Sequence, residues 1–82
     1  MRQLSFTING HGYTLTDDLV LSKMEGVTPE MVRSHGVRLH GHIYPVKQVL
    51  AAVIGIDRAD FQSMQARSVF RRLGFEVVRA AG

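Results

Sequence analysis

Two apolar stripes of helical period dominate the second half of this sequence, each closed by a glycine. After Pro45, the residues Val46, Val49, Leu50, Val53 and Ile54 recur one or two helical turns apart until Gly55. After Ser63, the stripe Ala66, Val69, Phe70 and Leu73 repeats the pattern until Gly74. Apolar residues at i, i+3, i+4 and i+7 share one face of a helix. Proline at a helix start and glycine just past its end fix the boundaries. Two short helices with one apolar face each must therefore share a core, and the rest of the chain must complete it. Lys47, Gln48 and Ala51 are expected on the outer side of the first helix.

The remaining segments alternate instead. Leu4, Phe6 and Ile8 are interleaved with Ser5 and Thr7, and Asn9-Gly10 follows; Tyr13 and Leu15 are interleaved with Thr14 and Thr16. Residues 4–16 thus read as a β-hairpin. Thr16 before Asp17-Asp18 predicts an N-cap and a helix from about Asp17 to Glu25, ended by Gly26. Thr28-Pro29-Glu30 predicts another helix start, running to about His35 before Gly36. Val37-Arg38-Leu39 and His42-Ile43-Tyr44 flank His40-Gly41 as a second hairpin. Asp57 and Asp60 bracket a short turn carrying Arg58 and Phe61, Ser63 is expected to cap the last helix, and Phe75, Val77 and Val78 suit a final strand. The expectation is an α+β fold: a small single domain over residues 1–82 with antiparallel hairpins and about four short helices.

Composition narrows the function classes. The 82 residues are 45% hydrophobic and 21% charged, the balance of a globular domain. No apolar run approaches the ~20 residues of a membrane span, and the opening residues lack the apolar core of an export signal. Cysteine is absent, which removes disulfides, thiolate metal sites and thiol nucleophiles. A cytoplasmic location, with no membrane partner, is the expectation. The net charge of +3 is unevenly spread: residues 1–36 sum to −1 and residues 37–82 to +4, mostly arginine. Arginine's fork suits phosphate and guanine edges.

That excess falls on the second half's helices. At 100° per residue, the stripe of the last helix leaves Met64, Arg67, Ser68 and Arg71 opposite the core, with Gln65 and Arg72 beside them. Lys47 stands in the first turn of the preceding helix, where the dipole disfavours a cation unless an anion is near. Free N–H groups at the Ser63 end would add to an anion site. Solvated cations and C-terminal dipole partners explain the same residues without any ligand. His11, His35, His40 and His42 lack the ligand set of a closed zinc site, so no metal is expected. No nucleophile elbow, P-loop or dinucleotide fingerprint is present, so neither catalysis nor a cofactor is expected.

Tyr44-Pro45-Val46-Lys47-Gln48-Val49-Leu50, Phe61-Gln62-Ser63, Ala66-Arg67 and Arg71-Arg72-Leu73-Gly74-Phe75 together carry a resemblance. Over roughly residues 36–76 the chain resembles small actinobacterial proteins that bind 5-methylcytosine-containing DNA, and the related N-terminal modules of McrA-type HNH endonucleases. There is no HNH segment in this sequence. The resemblance implies a nucleoid-associated reader of cytosine-methylated double-stranded DNA without nuclease activity of its own. On physical grounds the expected DNA contacts are Lys47, Ser63, Met64, Arg67, Arg71 and Arg72, then Arg38 and Arg58. Tyr44, Phe61 and Met64 are the candidates to touch a base or its methyl group. The competing expectation is a protein-interaction module whose basic face docks an acidic partner.

Overall fold

The computed structural model describes residues 2–80. Alternation in the first sixteen residues produces strands β1 (Gln3–Ile8) and β2 (His11–Thr16), paired antiparallel from Gln3 opposite Thr16 to Ile8 opposite His11. Asn9 and Gly10 join them at φ 51° and 79°, the left-handed pair that a two-residue hairpin needs to follow strand twist. His40 and Gly41 repeat the device at φ 51° and 76°, joining β3 (His35–Leu39) to β4 (His42–Pro45). Strand β5 (Val77–Arg79) pairs antiparallel with the other edge of β3, giving the order β4-β3-β5. His35 lies opposite Arg79, and Val37 opposite Val77.

Among the described residues three α-helices complete the α+β domain: α1 (Asp17–Lys23), α2 (Val46–Ile54) and α3 (Ser63–Arg72), with one 3-10 turn at Arg58–Asp60. Thr16 caps α1, its Oγ1 accepting from the Leu19 N–H at 3.1 Å. Gly55, at φ 74°, closes α2 by donating to the Ala51 carbonyl at 2.9 Å. None of these helices is long and apolar enough to cross a membrane. The two stripes meet as expected: Val46, Val49, Leu50 and Val53 of α2 and Ala66, Val69 and Phe70 of α3 are all buried. Leu4, Ile8 and Leu15 from the first hairpin, Val20 and Met24 after it, and Val37 and Leu39 of β3 join the same core.

Three expectations need correction. The N-cap of α3 is Gln62; Ser63 is already helical. Gln65 Oε1 reaches back 2.7 Å to accept from the Gln62 N–H, satisfying a donor that the helix leaves free. Residues 27–34 form no helix. Their backbone groups are claimed by side chains from elsewhere: Gln48 Nε2 donates to the Thr28 carbonyl and its Oε1 accepts from the Glu30 N–H, both at 3.0 Å. Tyr44 Oη donates to the Val27 carbonyl at 3.0 Å. A helix of so few residues gains little to set against its nucleation cost, and these bonds offer the backbone an alternative. Gln48 is consequently buried at 7% exposure, not on the outer side of α2.

Candidate nucleic-acid interface

The cations of the second half separate into paired and unpaired groups. Arg58 grips Glu30 with both arms of its fork, Nη1 to Oε1 and Nη2 to Oε2 at 2.6 Å each. This bond holds the Glu30 carboxyl below its ordinary value and raises Arg58, with burial opposing both shifts. Arg38 Nε donates to Glu76 Oε1 at 3.1 Å. Both pairs are about half exposed, so water screens them and each adds little stability. Their larger effect is on charge. Arg38 and Arg58 arrive at the surface already neutralised, which weakens both as phosphate contacts.

Lys47, Arg67, Arg71, Arg72 and Arg79 make no ion pair among the described residues. Arg67 leaves the side of α3 toward the three-stranded sheet, where its Nη1 donates to His35 Nε2 at 3.2 Å. That contact requires the imidazole to accept at Nε2 and carry its proton on Nδ1. The Arg67 Nε is buried without a hydrogen-bond partner. Burial, then the positive charges of Arg67, Arg79 and Arg71, press the His35 pKa below its ordinary value. Four basic side chains from β3, β5 and α3 thus crowd one place, and no carboxylate contributes to the shift. Strand pairing builds this cluster by setting His35 opposite Arg79.

Across the N-terminal end of α3, Lys47 Nζ stands 5.3 Å from the centroid of the Phe61 ring. A cation held against an aromatic face is attracted by ~0.5–1 kcal/mol at exposed sites, which offsets its poor position at a helix start. Neither α2 nor α3 has an acid in its first turn, in contrast to Asp17 and Asp18 of α1. Met64 is 70% exposed. It lies with Ser68 and Arg72 along a groove whose other wall is Phe6, Thr7 and Ile8 of β1. The expected basic face is therefore divided: Arg67 and Arg71 turn toward His35 and Arg79, while Met64 and Arg72 border β1.

Tyr44 and Phe61 do not take the place expected for base contacts. They are 2% and 3% exposed and belong to the core, Tyr44 anchored through its hydroxyl and Phe61 covered by Lys47. Met64 alone of the three apolar candidates is open to a partner. His35 and Arg79 were absent from the expected site because their place depends on a pairing between distant strands. His40 donates its Nε2–H to the Leu21 carbonyl at 2.8 Å and takes no part.

No curated protein and no solved structure matches the chain. The SCO5918-like family matches over residues 1–82, and by that match the chain belongs to the SCO5918-like family.

Proposed function

We propose that this domain binds double-stranded DNA through Lys47, Arg67, Arg71, Arg72 and Arg79, and reads 5-methylcytosine with Met64, which stands beside Arg72 on the β1 side of that surface. One observation carries the reading: Arg38 and Arg58 are neutralised by Glu76 and Glu30, whereas His35, Arg67, Arg71 and Arg79 are set close together and no carboxylate contributes to the His35 shift. Keeping like charges together costs stability unless an anion shares the site. A phosphate backbone is the anion that offers several charges at the spacing of a protein surface. The family match bears on neither DNA nor methylation. Methyl reading is supported by the resemblance over residues 36–76 and by the exposure of Met64 beside Arg72. The cytosine C5 methyl projects into the major groove as the thymine methyl does, and covering one such group is worth ~0.8 kcal/mol, about fourfold in affinity.

The test is a titration of methylated and unmethylated duplex of one sequence at several salt concentrations. Contact of these five cations with phosphates gives a slope of log K against log salt of about −4.5, and Arg67→Ala with Arg71→Ala flattens it by about 1.8. Undiminished binding by that double variant overturns the surface. Equal affinity for the two duplexes overturns methyl reading. Failure to bind DNA at low salt, with an acidic protein retained instead, would transfer the same surface to the protein-docking reading.

A further inference from the structure

Two cavities adjoin where α3 begins. The smaller, about 230 Å³, is lined by Met31, Arg33, His35, Val46, Lys47 and Ser63 among others. The larger, about 440 Å³, is lined by Lys47, Gln62, Ser63, Met64, Gln65 and Arg67. Lys47 and Ser63 line both, so these two residues stand between them. Each chamber carries one exposed methionine: Met31 at 78% in the first and Met64 at 70% in the second, the two most exposed large apolar side chains among the described residues. The first also holds Arg33 and the Arg58–Glu30 pair, the second Arg67.

This order of exposed methionine, cation and exposed methionine along a cleft lined largely by polar residues matches a strand of nucleic acid more closely than a duplex surface. A paired base shows only its edge to a protein and cannot enter a concavity, whereas an unpaired one offers its whole face. Thioethers pack favourably on aromatic rings, and a groove that joins backbone-tracking charge to contacts on base faces is the recurring design for unpaired strands. We propose that the double cleft holds an unpaired dinucleotide step of DNA, with its phosphate between Lys47 and Ser63 and its two bases against Met31 and Met64. The inference rests on the DNA reading above and narrows it: the preferred form is duplex that is locally opened.

Fluorescence anisotropy with the full chain and unmethylated DNA of one length, at one salt concentration, tests it. The probes are a paired duplex and the same duplex with a central two-nucleotide mismatch bubble. The bubble is expected to bind about tenfold more tightly, from two thioether–base contacts. Met31→Ala with Met64→Ala brings the ratio of the two affinities close to one. Both residues are exposed, and an unchanged thermal unfolding midpoint verifies that the fold survives. Equal affinity for bubble and paired duplex, with paired binding intact, overturns this inference alone. A double variant that keeps the preference overturns its assignment to the cleft. Loss of binding to both probes in the unsubstituted chain overturns the DNA reading together with it.

Discussion

Gly36 is the residue at which the central strand has no room to spare. A Cβ built there would come within 2.5 Å of Ile43 Cγ2, 3.1 Å of the Tyr44 carbonyl oxygen and 3.3 Å of Val32 Cγ1. The Ile43 methyl sits on a branched carbon and the carbonyl belongs to β4, so neither gives way without moving a strand. Gly36→Ala is expected to cost about 1–3 kcal/mol, as overpacking generally does, read from the urea midpoint at unchanged slope. The neighbouring His35 shows why single residues of the surface were hard to read. Its sequence neighbours give it the look of a helix end, and only the pairing with Arg79 and the bond from Arg67 reveal its role. The charges of Arg38 and Arg58 were equally hidden, because their partners Glu76 and Glu30 lie far off in the chain.

Elements whose signals are local were legible. Alternation with Asn9-Gly10 specified the first hairpin, alternation with His40-Gly41 the second, and the stripes of α2 and α3 specified which faces meet. The segment from Val27 to Ser34 was not legible, because what organises it arrives from other elements: Gln48 of α2, Tyr44 of β4 and Arg58 of the 3-10 turn. Gln48→Ala strips the Thr28 carbonyl and the Glu30 N–H of their partner at once. The expected loss is about 1–3 kcal/mol, with faster hydrogen exchange at the Glu30 amide in the variant as the local check. An unaltered exchange rate there would show that the segment is organised by something else. Because Met31 and Arg33 lie on this segment, the same variant is also expected to loosen the smaller chamber of the cleft.

For the molecule as a whole, His35 links pH to both stability and charge. Its pKa is depressed from 6.5 by burial and by Arg67, Arg79 and Arg71, so the folded state binds fewer protons than the unfolded one near that pH. Stability from this group is complete above 6.5 and declines as pH falls through that value toward the folded pKa. DNA acts in the opposite sense, since a nearby phosphate favours the imidazolium. Affinity is therefore expected to rise as pH falls through the range in which the imidazole takes up its proton, and His35→Gln to flatten that rise relative to the unsubstituted chain. Anisotropy titrations between about pH 5.5 and 7.5 decide it. Arg33, Lys47, Arg58 and Glu30 are the other charged groups lining the same cavity, and there the hydrogen bond from Arg58 holds the Glu30 carboxyl below its ordinary value. The strand that carries His35 also fixes an order of events during synthesis. β3 meets β4 across a two-residue turn, but its second edge waits until β5 has been made, with α2 and α3 in between. Until Val77–Arg79 leave the ribosome, the nascent domain has a half-covered sheet whose open edge can pair with another chain, and the basic cluster does not yet exist.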